Sequence, residues 1–143
     1  MKMGRIMASE RWRYVWHNGL VPHMSTDALE AIRKALEEND QDLVQGVTTN
    51  PPTIIACKDW PTESACALAY GLWRGDGLLT VGEVEYAFTE LCLECDTLLD
   101  DPPACRWFIC WFDGTDREKM RKELLVEVEK ALQERKERSN GIE

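Results

Sequence analysis

Three observations predict an all-α, single-domain bundle of about five helices plus a short N-terminal one, packed around a central Trp/Phe-rich helix. The first is the run Trp107-Phe108-Ile109-Cys110-Trp111-Phe112, six consecutive apolar residues. An exposed helix or a half-wet strand would interleave polar residues at a fixed period, so this segment must be wrapped by neighbours. The second is a pair of capping boxes, Thr80-Val81-Gly82-Glu83 and Thr115-Asp116-Arg117-Glu118. In each, a hydroxyl and a glutamate three residues on satisfy the free backbone donors of a helix start. The third is that no stretch sustains the two-residue alternation of a strand, and neither a repeat nor a low-complexity linker divides the chain.

In chain order, residues 9–19 read as the short helix, with Ser9 as N-cap and Asn18-Gly19 as the stop. Trp12, Val15 and Trp16 then face inward, and Arg11 and Arg13 outward. Residues 25–38 form an amphipathic helix with the stripe Ala28, Leu29, Ile32, Ala35 and Leu36. Asn39-Asp40 ends it, and Leu43-Val44 would fit one further turn. The stretch 46–57 is the one long internal loop, because its β-branched residues and Pro51-Pro52 disfavour helix.

Asp59 is expected to cap a helix over 60–74, stopped by Gly75-Asp76-Gly77. Its apolar stripes are Ala65, Leu68 and Leu72, and Cys66, Tyr70 and Trp73. Ser64, Ala67 and Gly71 lie between them and are small enough to admit another backbone, which places this helix beside the Trp107 segment. Thr80 opens a helix to about Leu99, with Val84, Phe88, Leu91, Cys95 and Leu98 inward and Val81, Cys92 and Leu99 widening the stripe. Glu83, Glu90, Glu94 and Thr97 form its wet side. The Trp107 helix follows, with Asp101 as cap, Pro102 and Pro103 in the first turn and Gly114 as the stop. The last helix runs from Thr115 to about Arg138, with Met120, Leu124, Val128, Ala131 and Leu132 inward and residues 139–143 frayed.

A chain of 143 residues is one domain's worth, with residues 1–24 forming an arm around the short helix. An apolar content of 44% and a charged content of 30% exclude a disordered chain. No apolar run approaches the ~20 residues of a membrane span, and the opening residues lack the apolar core of a secretory signal. The expectation is therefore a cytoplasmic protein with no membrane contact, its six cysteines kept as thiols. The net charge of −9 is unevenly spread: +3 over residues 1–24, −12 over 25–101, and zero over 102–143. The acidic middle excludes a nucleic-acid groove, which needs basic side chains to displace phosphate counterions. It suits solubility or a basic partner surface.

Several constellations carry possible chemistry. Cys92-Leu93-Glu94-Cys95, followed by Cys105 and Cys110, resembles a four-thiolate zinc set. Both thiols of the CxxC fall on the core stripe of a capped helix, however. Cys105 and Cys110 lie about 140° apart on theirs, too far round to share one ion. Core thiols are the simpler account. His17 and His23 are the only imidazoles that could complete such a site. Asp76-Gly77 through Glu83 resembles the second half of an EF-hand calcium loop, with Glu83 at the bidentate twelfth position. The first and third positions fall on Leu72 and Arg74, which supply no oxygen. Glu83, Glu90 and Glu94 on the wet face are the candidates for a magnesium site, which would need facing acids from an adjacent helix such as Glu37, Glu38 and Asp40.

Six tryptophans exceed what a small helical core requires, and tryptophan is enriched where binding energy concentrates. The expected function is thus non-enzymatic. It is a protein-interaction or regulatory domain that binds a partner protein, or a second copy, through an aromatic patch of Trp12, Trp16, Trp60 and Trp73 bordered by acids. One alternative is thiol-based zinc binding or redox regulation through Cys92, Cys95 and Cys105. The other is a magnesium-dependent nucleotide hydrolase using Glu83, Glu90 and Glu94. No cofactor is expected apart from the zinc of that alternative.

Overall fold

The structure, a computed structural model, describes residues 10–50 and 58–140. Its six helices among those residues are α1 (Arg11–Val15), α2 (Thr26–Glu38), α3 (Ala67–Tyr70), α4 (Val81–Leu99), α5 (Ala104–Gly114) and α6 (Arg117–Asn140). A two-residue antiparallel pair, β1 (Thr49–Asn50) and β2 (Ser64–Ala65), matches Thr49 to Ala65 and Asn50 to Ser64. The all-α single-domain architecture is the one the apolar periodicity and the caps require.

The apolar run is α5, and its rings organise the core. Phe108 and Phe112 are buried one turn apart with centroids at 6.0 Å, and α1 supplies the opposing surface. Trp16 stacks on Phe108 at 5.3 Å, and Trp12 lies parallel to Trp111 at 3.5 Å. Trp107 and Trp111 are half-buried, and the Arg11 guanidinium covers the Trp107 ring at 4.3 Å. The start of α5 is capped from α4, because the Asp96 carboxylate accepts from the Cys105 N–H at 2.8 Å. Asp101 contributes its backbone carbonyl, which accepts from the Ala104 N–H, not the expected side-chain cap. At the other end, Gln45 donates to the Phe112 and Thr115 carbonyls, each at 2.7 Å, so Gly114 is not needed as a left-handed stop.

α2 follows its pattern closely. Ser25 accepts from the Ala28 N–H, the five stripe residues are all buried, and Asn39 ends the helix at φ 53°. Its C-terminal end is met by α6: Arg121 donates to the Leu36 carbonyl, and just beyond the helix Arg117 donates to the Asn39 side chain and to the Asp40 and Leu43 carbonyls. Arg135, near the other end of α6, donates to the Val21 carbonyl and to Thr26 at the start of α2, so the two helices run antiparallel. In α6 the predicted capping box is redistributed. Thr115 donates back to the Trp111 carbonyl, and the Asp116 carboxylate takes the Lys119 N–H.

Three boundaries differ from expectation. Asn18-Gly19 does not stop α1; the chain continues through a π-helical turn, Trp16–Leu20, and a 3-10 turn, Val21–His23. Gly19 serves packing instead, since a Cβ there would meet Cys95 Sγ and Leu99 Cδ1 of α4 at 2.7 Å each. No helix starts at Trp60: residues 60–66 are extended, with Thr62 donating to Leu79, Ala65 to Asp42 and Cys66 to Thr48. Pro61 and β-branched Thr62 resist helix, and these partners lie far away in the chain, so local pattern could not reveal them. α3 therefore begins only at Ala67, passes into a second π-helical turn, Gly71–Gly75, and packs on α2 and α4. Leu43 is buried through a bridge to Ala65, not through a further turn of α2. Of the loop 46–57, residues 51–57 lie outside the described residues, as do Ser9 and residues 141–143 of the predicted tail.

Gly71 and Gly75 form a glycine pair one turn apart that lets this turn lie directly on α2. A Cβ at Gly75 would meet the Ala28 Cα at 2.5 Å and the Asp27 oxygen at 2.6 Å, both backbone atoms that cannot yield. Gly75→Ala is expected to destabilise the fold by about 1–3 kcal/mol in urea unfolding. Gly114→Ala, where a Cβ meets nothing within 4 Å, is expected to be neutral or to stabilise by up to about 1 kcal/mol.

Buried Tyr70 donates to Asp40 Oδ2 at 2.7 Å, and the Asp42 N–H donates to Oδ1 at 2.9 Å. The Tyr70 hydroxyl first, and the Asp42 amide second, hold the Asp40 carboxyl below the usual carboxylate range. A depressed carboxylate adds stability above its unfolded value, and that stability is lost as pH falls through the native value. Tyr70→Phe should therefore cost about 1 kcal/mol at neutral pH, and its gap to wild type should narrow below about pH 4 in thermal melts.

Candidate functional site

The tryptophan patch expected on the surface is not assembled. Trp12 and Trp16 are 1% and 0% exposed, because α5 requires large rings opposite it, and they cannot meet a partner from there. Trp60 sits before Pro61 and is largely exposed. Trp73 is half-buried, edge-on to Tyr70 at 5.7 Å, with the Arg74 guanidinium over its ring at 4.3 Å.

The three predicted cysteines lie where α4 meets α5. Cys92 faces Cys105, and the two thiols share a hydrogen bond. Receiving that bond holds the Cys105 thiol below its usual range, while the same bond and then burial push Cys92 up. Cys95, one turn on, points instead toward Gly19 of the π-helical turn, and burial pushes its thiol up to about 12. Cys66 is likewise raised to about 12 by burial. The arrangement yields a thiol pair, not a tetrahedral set. Among the described residues no group of three or more His, Cys, Asp or Glu side chains is placed to hold a metal ion.

The acids divide in the same way. Glu83 is committed to its capping box, accepting from the Leu79 and Thr80 N–H groups at 3.1 and 3.2 Å, and these bonds hold it below the usual carboxylate range. Asp76 accepts from Ser25, so each carboxylate of the calcium-loop resemblance has one oxygen engaged in a helix or turn contact. Glu37 pairs with Arg33, Asp40 binds Tyr70, and Glu38 lines a different cavity, between α2 and the second π-helical turn. None of these α2 acids faces Glu90 or Glu94, which removes the second half of the predicted magnesium site.

What the structure does assemble is a continuous apolar and acidic face on the outside of α4. Tyr86 and Leu93, two turns apart, are 69% and 55% exposed, and Leu98 is 52% exposed instead of facing the core as its stripe position suggested. Two depressions flank them. One, of about 220 Å³, has buried Met24, Leu68 and Leu91 as its floor and Tyr86 and Glu90 at its rim. The other, of about 300 Å³, is lined by Leu93, Thr97 and Leu98. Exposed His23 and Glu94 border both, so the two form one surface. Through Nδ1, His23 donates to the Gly19 carbonyl at 3.0 Å, which fixes the ring at the edge of the groove.

Several acids elsewhere pair with bases: Glu30 and Glu37 with Arg33, Glu118 with Arg121, and Glu127 with Arg13 and Lys130. Glu90 and Glu94 are exposed and make no ion pair or hydrogen bond among the described residues. From Gly75 to Cys105 the sequence holds eight acidic residues and no Lys, Arg or His. Comparison with protein-family models, curated proteins and solved structures finds no match. The function must be argued from this geometry.

Sequence reasoning placed Glu90 and Glu94 correctly on the wet side of α4 but missed Tyr86, Leu93 and the outward turn of Leu98. The available signal was an aromatic and a leucine seven residues apart on that same wet side, within a stretch free of bases.

The thiol environments are open to a direct check. Brief iodoacetamide labelling at about pH 8, followed by peptide mass spectrometry, should modify exposed Cys110 and leave Cys66 and Cys95 unmodified until the protein is unfolded. Equal labelling of Cys95 and Cys110 in the folded protein would contradict the burial described.

Proposed function

We propose that this chain is a non-enzymatic protein-interaction domain that binds a partner protein through the outer face of α4. The observation that carries the reading is exposed Tyr86 and Leu93, two turns apart on one side of α4, bordered by unpaired Glu90 and Glu94, with exposed Leu98 further round near the helix end. Exposed apolar side chains scattered singly need no explanation. Tyr86 and Leu93, two turns apart on one side of α4 and each beside a depression, form the centre of a contact surface, with the acids as its polar rim. This face replaces the expected patch of tryptophans with a single tyrosine and a leucine bordered by acids.

A cytoplasmic setting belongs to the same proposal. The five described cysteines are all free thiols, which suits a reducing compartment. No helix among the described residues is long and apolar enough to cross a membrane, so a partner is sought among proteins.

Leu93→Asp, alone and with Tyr86→Ala, tests the face. Both residues are exposed, so thermal stability should change by no more than about 0.5 kcal/mol. Proteins retained by the immobilised wild-type domain should be lost from the variants, with affinities reduced at least about tenfold, as for truncation of a contact's anchor. A set of bound proteins identical for wild type and the double variant would sink the proposal.

A further inference from the structure

Resting on the α4 docking face proposed above, we infer that the segment it accepts is a basic amphipathic helix of another protein. It lies along α4 with its apolar stripe on Tyr86 and Leu93, and with its lysines and arginines against Glu90 and Glu94.

The shape of the face favours a helix. α4 has 19 residues, a rod of about 28 Å, and its exposed Tyr86 and Leu93 lie about 10 Å apart along one side of it. Tyr86 and Leu93 are two turns apart, the spacing that i, i+4, i+7 side chains of a second helix meet when it lies alongside. The depressions beside them, about 220 and 300 Å³, accept single aliphatic side chains and are small for a drug-sized ligand.

The charge selects the partner. Residues 75–105 hold eight acids and no Lys, Arg or His, and Glu90 and Glu94 among them border the groove, whose only Lys, Arg or His lining among the described residues is His23. Part of that charge has a structural use: Glu83 caps α4, Asp96 caps α5, and Glu85 accepts from Thr49 at 2.6 Å. Glu90 and Glu94 have no such use. A basic segment offsets both charges. A second copy of this chain would set acid against acid along the face, and anionic lipid or nucleic acid would be repelled.

The test selects a phage-displayed library of helix-forming peptides, about five turns long, on the immobilised full chain. Enriched peptides should carry Lys or Arg beside an i, i+4, i+7 apolar stripe. As synthetic peptides they should bind at least tenfold more weakly to Glu90→Lys/Glu94→Lys, and measurably more weakly to Glu90→Gln/Glu94→Gln. Their binding should also fall as salt rises and be lost with Leu93→Asp. Circular dichroism of each variant confirms that the fold is kept. Neutral or acidic peptides that depend on Leu93 would overturn the basic-helix inference and leave the docking face standing. Basic peptides held equally by Leu93→Asp, or no enrichment at all, would overturn both.

Discussion

The structure depends on one constraint, the need to cover the aromatic surface of α5. Phe108 and Phe112 are buried within a single helix, and covering them takes rings of comparable size from elsewhere in the chain. α1 provides them in Trp12 and Trp16, stacked against Trp111 and Phe108. Aromatic pairs at these separations add to the large apolar area each ring removes from water. The tryptophans that looked like a surplus for recognition are consumed by this requirement, leaving Trp60 as the largely exposed one among the described residues.

Around that centre the helices are held by two kinds of specific contact. One is the satisfaction of helix ends by side chains from distant elements: Arg117 and Arg121 on the end of α2, Asp96 on the start of α5, and Gln45 on its end. Each meets backbone groups that a helix terminus leaves unpaired. The other is the removal of side chains where backbones must touch, at Gly19 against α4 and at Gly71 and Gly75 against α2. Two of these glycines lie in π-helical turns and the third closes one, which is where the bundle departs from regular helix geometry.

With the rings and most described thiols inside, α4 is left with both a buried and an unclaimed face. Its inner side, with Val84, Leu91 and Cys95, belongs to the core. Its outer side combines exposed apolar residues with two carboxylates, Glu90 and Glu94, that make no ion pair among the described residues, whereas Glu30 and Glu37 of α2 and Glu118 of α6 sit in arginine pairs.

The sequence by itself determined the fold class and the course of α2, α4 and α6, because caps and the 3.6-residue period are local. Ser25, Thr80 and Glu83 act within a few residues of where they stand, and the α2 stripe is buried as its spacing requires. Local pattern also marked Glu90 and Glu94 as wet. Only the tertiary structure decided that residues 60–66 are extended, that Asn18-Gly19 does not end a helix, and that Trp12 and Trp16 lie inside while Leu98 lies outside. Each of these depends on what stands opposite, such as Leu79 and Asp42 for the extended segment, or α5 for the tryptophans. Burial is a property of pairs of surfaces, and the periodicity of one helix does not say which neighbour will cover it.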